Sequence, residues 1–187
     1  MPPAGQQTVV THDALRSFDT NLDRDRVWAF FWDVPSLAGC IPGCESVVSV
    51  EEGASYTAAV RRKVGPFSLR FALAITVINR MPPCEITLEV LGEDKRLRSA
   101  VRQEILVSLS DSPGARGSRG EIRANVQVAG LLASLGANLV RMHVDQGLTD
   151  FVYAIEAQLA DEPVTMAPQN TTVSLPAIEL LERKACT

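Results

Sequence analysis

The hydrophobic positions change period along the chain in a fixed order. Asp23 to Trp32 carries apolar residues at the three-to-four spacing of a helix, about Ser55 to Val128 alternates apolar and polar residues, and Leu131 to Leu159 returns to helical spacing. An alternating segment buries one face only, so this block predicts an antiparallel sheet with one wet side. The terminal helix is the element left to cover the other side. The fold class is therefore α+β: a curved antiparallel sheet of about seven strands wrapped on a long C-terminal helix, with two short helices after the first strand. A one-sided sheet curving round a helix can leave apolar space between the two layers, which points to binding something small and hydrophobic.

Local signals place the elements. The first strand is expected at about Thr11 to Asp19. Asn21 or Asp23 can cap the helix that follows, with Asp25 in its first turn and Val27, Trp28, Phe31 and Trp32 on its apolar face. Pro35 ends or restarts that helix, and a second helical turn from Pro35 to Cys40 closes against Pro42-Gly43. Parity then gives the inward side chains of the sheet: Tyr56, Ala58, Val60 and Arg62; Phe67, Leu69, Phe71, Leu73 and Ile75; Ile86, Leu88 and Val90; Leu97 to Leu109 at odd positions; Ile122 to Val128 at even ones. Gly53, Gly65-Pro66, Pro82-Pro83, Gly92 and the loop Asp111 to Gly120 punctuate the strands. In the terminal helix Leu132, Leu135, Leu139 and Met142 share one face, and Val144, Leu148, Phe151, Ile155 and Leu159 lie nearly opposite. Either the helix bends near Gly147 or both of its sides are covered.

A chain of 187 residues, 46% of them apolar, has room for one domain with a sizeable core. Residues 1–10 read as a flexible lead, 11–162 as the ligand-binding domain, and 163–187 as a linker followed by a weak helix at Pro176 to Lys184. No apolar stretch approaches the roughly 20 residues of a membrane span, and no secretory signal opens the chain. The expected location is cytoplasmic, with peripheral contact at the inner face of the membrane. Cys40, Cys44, Cys84 and Cys186 are scattered, so no disulfide framework is expected there.

The net charge of −4 is uneven: Arg61 to Arg123 holds twelve Lys/Arg against seven Asp/Glu, and the remainder six against fifteen. Lys95, Arg96, Arg98, Arg102, Arg116, Arg119 and Arg123 are either the solvated face of neighbouring strands or a docking surface for an anionic membrane or acidic partner. Nucleic acid is not expected as a partner, because no aromatic residues are interleaved with these cations.

Catalytic and metal chemistry find no motif. His12 and His143 lie far apart, Cys40 and Cys44 lack a second ligand pair, and Gly114, Gly117 and Gly120 do not precede a helix. No cofactor, metal or catalytic residue is assigned. Polar residues at inward parity are more informative, since a buried guanidinium or amide without a partner costs about 1–3 kcal/mol or more. Arg62, Ser99 and Gln103 are the polar candidates to face a carbonyl or hydroxyl of a ligand, unless Arg62 sits at a strand end and points into water. Trp32, Leu37, Ile41, Phe67, Leu69, Phe71, Leu135, Leu139 and Met142 complete the expected wall.

Several runs resemble the G subunit of carbon monoxide dehydrogenase: Val27-Trp28-Ala29-Phe30-Phe31, Leu37 to Val47 with its Ile41-Pro42-Gly43-Cys44, Arg62-Lys63-Val64-Gly65-Pro66, Met81-Pro82-Pro83, and Leu135-Gly136 followed by Leu139-Val140. The resemblance covers about Leu15 to Leu159. It implies the START-like helix-grip (SRPBCC) superfamily, whose members hold hydrophobic ligands between sheet and helix. It also implies a non-catalytic accessory of a molybdenum hydroxylase, binding a quinone or lipid and serving maturation, membrane recruitment or quinone supply. The alternative is an interaction module with a filled groove that docks a partner enzyme or membrane through its basic sheet face or C-terminal tail. Two features depart from the family pattern: Gly92 to Arg98 is charged where a glycine-rich strand is common, and Met142 and His143 are bulky where small residues are common.

Overall fold

The computed structural model describes residues 8–112 and 117–161. Most of the expected lead, Arg116, and the expected linker and weak helix lie outside the described residues. The elements run β1 (Val9–Thr20), α1 (Arg24–Trp32), α2 (Val34–Cys40), β2 (Cys44–Glu51), β3 (Ser55–Val64), β4 (Phe67–Met81), β5 (Glu85–Asp94), β6 (Ser99–Asp111), β7 (Ser118–Gly130), α3 (Leu131–Ser134) and α4 (Ala137–Asp161). The seven strands form one antiparallel sheet in the order β1-β7-β6-β5-β4-β3-β2. This is the α+β helix-grip architecture.

That order decides where the helices go. β1 and β2 are consecutive strands at opposite edges, so α1 and α2 must carry the chain from one edge to the other. Asp23 caps α1 by accepting from the Arg26 N–H at 2.9 Å. Asp33 ends α1 and starts α2, its carboxylate accepting from the Ser36 hydroxyl at 2.6 Å. Pro35 falls in the first turn of α2, where its missing N–H costs no helix bond. α1 buries Val27, Trp28, Phe30 and Phe31 against Phe18, Ile122 and Ile155.

The strands follow the parity of the sequence, with β7 alternating between buried and more exposed residues along most of its length. β2 precedes the expected block because apolar residues occupy both of its faces: Val47 is half-buried, whereas Val48 and Val50 are 60% and 67% exposed. At the other end of the block, the charged segment after Gly92 is a turn organised by a buried carboxylate. Asp94 is 4% exposed and accepts from the N–H groups of Arg70 and Leu97, each at 2.9 Å. Burial opposes its charge, but the N–H groups of Arg70, Leu97 and Arg96, with the Arg96 charge, outweigh it and hold this carboxyl below the usual aspartate value.

The terminal helical stretch is not one helix. It breaks after α3 at Leu135-Gly136, where Gly136 takes φ +108°, a backbone conformation open mainly to glycine. α4 then runs unbroken through Gly147, so of the two alternatives, a bend there or cover on both sides, the bend is not taken. It is tied to β1 by Asp145, 3.1 Å from His12 Nε2, and by Thr149, which accepts from Arg16 Nε at 3.0 Å. Among the described residues no helix is long and apolar enough to cross a membrane. Cys40 and Cys44 are free thiols, with burial raising the Cys40 pKa.

Candidate functional site

Two packed clusters share the interior without meeting all along it. One gathers Phe18, Val27, Phe31, Ile122 and Ile155; the other gathers Leu69, Phe71, Val126, Val128, Leu132 and Val140. Members of both line a cavity of about 370 Å³, a volume in the range of small-molecule sites. Its floor is the concave face of the sheet, with Val60, Phe71, Ile75, Leu88, Val90, Ile105 and Val126 among the lining side chains. Val140, His143, Val144, Gly147, Leu148 and Phe151 of α4 form its roof, and Trp32, Leu37, Ala38 and Ile41 of the α1–α2 segment close a further side.

Few polar groups interrupt this wall. Arg62, Gln103, His143 and Tyr56 line it together with Trp32, and among the described residues no Asp or Glu does. Tyr56 already uses its hydroxyl to accept from the Gly53 N–H at 3.2 Å. The Trp32 indole N–H is buried without a hydrogen-bond partner among the described residues, and the Arg80 guanidinium stands 4.3 Å from the centre of its ring. Arg62 rises from β3 to α4, where a methyl group built at Gly147 would lie 2.8 Å from Arg62 Nη2. Its Nη1 donates to the Pro42 carbonyl at 3.4 Å.

Part of the charge on the outer face of the sheet is compensated locally. Arg102 meets Glu89 at 2.6 Å, Arg119 meets Asp19 at 3.2 Å, and Lys95 meets Glu93 at 3.4 Å. Arg61 and Arg70 share Glu45, whose carboxyl is held below its ordinary pKa chiefly by the hydrogen bond from Arg70. Pairing weakens the pull of these cations on an anionic partner, whereas Arg96 donates to the Ser68 carbonyl at 2.6 Å. Among the described residues no group of three His, Cys, Asp or Glu side chains is placed to hold a metal.

Residues 17–160 match the family profile of the carbon monoxide dehydrogenase G subunit (CoxG). The chain belongs to this family. A search of curated proteins finds no match. Among solved structures, a conserved protein from Geobacillus kaustophilus is 21% identical with a TM-score of 0.71, over 80% of this chain and 95% of that one. A START superfamily protein from Mycobacterium smegmatis is 12% identical with a TM-score of 0.60, over 80% and 97%. The Zhui aromatase/cyclase from a Streptomyces species is 13% identical with a TM-score of 0.61, over 80% and 94%. At these identities the likeness is one of fold.

Of the residues expected to form the wall of this CoxG-family protein, the structure brings Trp32, Leu37, Ile41, Arg62, Phe71 and Gln103 to the cavity. Arg62 points inward rather than sitting free in water. The other six lie elsewhere. Ser99 is 2% exposed, but its hydroxyl accepts from the Leu132 N–H at 3.2 Å and donates to the Leu97 carbonyl at 3.2 Å, so it secures the start of α3. Leu69 is fully buried in a packed cluster that Leu135 flanks, and Phe67 is half-buried at the start of β4. Leu139 is half-buried outside the cavity lining, and Met142 is 57% exposed.

The break at Gly136 explains the misplaced helix residues. It resets the helical phase, so the face beginning at Leu132 does not continue into α4. The cavity face of α4 is instead Val140, His143, Val144, Gly147, Leu148 and Phe151, at three- and four-residue spacing. That spacing was available in the sequence, and the Leu135-Gly136 break was the missing signal. His143, noted as a departure from the family pattern, therefore lies on the roof.

Proposed function

We propose that this chain is a non-catalytic accessory protein of the CoxG type that holds a hydrophobic small molecule, a quinone or lipid, between sheet and helix. In this reading it serves the maturation, membrane recruitment or quinone supply of a molybdenum hydroxylase, with peripheral contact at a membrane. The observation that carries the reading is the cavity of about 370 Å³ walled almost wholly by aliphatic and aromatic side chains. Transfer of apolar ligand surface from water onto such a wall contributes roughly 25 cal/mol per Å² before the costs of immobilising the ligand. Among the described residues no Ser, Thr, Cys, Asp, Glu or Lys contributes to the lining, which favours holding a guest over nucleophilic chemistry on it and leaves His143 and Tyr56 as the proton-transfer groups an assay for turnover would probe. The cyclase among the structural neighbours makes turnover the competing activity to assay. The interaction-module alternative, docking through the basic sheet face or the C-terminal tail, needs a groove filled by the protein's own side chains, and the open cavity weighs against that.

Native mass spectrometry of the purified protein before and after organic extraction tests the proposal. A co-purifying apolar compound that is lost on extraction and rebinds in one-to-one ratio supports it. A protein that carries no apolar guest, rebinds none, and still forms a stable complex with a hydroxylase supports the interaction module instead.

A further inference from the structure

Arg62 is set apart by carrying its charge into an apolar cavity. Its neighbour Arg61 takes Glu45 at 2.8 Å, and Arg70 takes the same carboxylate at 2.7 Å. Arg102, Arg119 and Arg24 each meet a carboxylate as well. Arg62, the arginine of the cavity, meets none among the described residues. Its one hydrogen bond among them is to the Pro42 carbonyl at 3.4 Å, which leaves most of its five N–H donors without a protein acceptor. Val60 and Val64 flank it on the inward face of β3 and also line the cavity, so the guanidinium stands among apolar side chains. A cation in such surroundings is stabilised most by a countercharge that reaches it from inside the same space.

From this geometry we infer that the preferred guest is an amphiphile with a carboxylate head, bound by Arg62, and an apolar tail laid along the sheet. This rests on the proposed hydrophobic-guest reading and narrows it. A planar guanidinium offers a carboxylate two parallel charge-assisted bonds, whereas a neutral carbonyl or ester provides no countercharge. The roof is built to admit the guanidinium: Gly147 has no side chain, and any side chain there would meet Arg62 Nη2. His143 lies one helical turn before Gly147 on the same cavity face of α4 and adds a second polar group on that side. With no Asp or Glu among the described lining residues, nothing in the wall competes for the guanidinium.

The test is calorimetric titration of the delipidated full-length protein with dodecanoate and with its methyl ester, in wild type, Arg62→Gln and Arg62→Lys. Wild type is expected to bind dodecanoate about tenfold or more tighter than the ester. Arg62→Gln should lose that preference while still binding the ester, and Arg62→Lys should keep part of it. Equal affinities in wild type, or an undiminished preference in Arg62→Gln, would overturn the inference and leave the hydrophobic-guest reading standing. Binding of neither probe by folded wild type would overturn both. Circular dichroism melts confirm that each variant is folded, and Arg62→Lys, which keeps the charge, carries the test if Arg62→Gln does not fold.

Discussion

Arg62 on β3 and Gly147 on α4 are paired by size across the cavity: the guanidinium occupies the space that a side chain at residue 147 would need. Glycine inside a long helix costs about 1 kcal/mol relative to alanine, so at this position helix propensity yields to the placement of Arg62. The cation is thereby held between sheet and roof.

Gly147→Ala tests this trade. The clash is with the far end of a flexible side chain, so the helix should gain up to about 1 kcal/mol while Arg62 is displaced. Thermal melts are expected to show an unchanged or higher Tm, and titration with an apolar ligand a weaker affinity. A lower Tm with unchanged affinity would mean that Gly147 serves packing alone.

Filling the cavity separates space from structure. Val144 is half-buried on the roof, and Val144→Phe places a ring in open volume. Stability in urea should change by less than about 1 kcal/mol, against the roughly 1–3 kcal/mol cost of overpacking a filled core, and guest binding should be lost. A large destabilisation with binding intact would contradict the assigned position of the cavity.

Ser99 is predicted to be structural. Ser99→Ala removes the acceptor of the buried Leu132 N–H, which should cost about 1–3 kcal/mol, with each kcal/mol lowering Tm by about 2–4 °C in a chain of this size. Ligand affinity per folded molecule should not move. Differential scanning calorimetry read beside a ligand titration checks both halves.

Asp94 sets a pH dependence. Its folded-state pKa lies below the unfolded value of about 3.9, so its stabilising effect is fully present above that value and is lost as pH falls through the folded pKa. Urea unfolding of wild type and Asp94→Asn should therefore differ most near neutral pH and converge in acid. A difference that grows as pH falls below about 4 would have the wrong sign.

Much of this was legible in the chain. Period-two alternation from Tyr56 to Val128 gave the concave face almost residue by residue, and it marked Arg62 and Gln103 as polar groups that face inward. Ser99 shares that parity, yet it lies at the start of β6 beside α3, where a hydroxyl is used as a cap; parity gives the face but not the position along it. Met142 failed for a different reason, because periodicity carried across Gly136 assumes an unbroken helix. β2 was obscured by Val48 and Val50 on its solvent side. The cavity itself is a matter of how completely side chains fill a space, which depends on three-dimensional packing that no one-dimensional pattern contains.

In the proposed complex an apolar guest lies against the concave face beneath α4. Methyl-resolved NMR of the protein labelled at Ile, Leu and Val, titrated with dodecanoate, addresses it most directly. Shifts and ligand-to-protein Overhauser contacts are expected at Ile75, Leu88, Val126 and Val144, which line the cavity, with Val48 and Val50 unmoved on the outer edge. Contacts confined to Val48 and Val50, or none at any cavity methyl at saturating ligand, would contradict it.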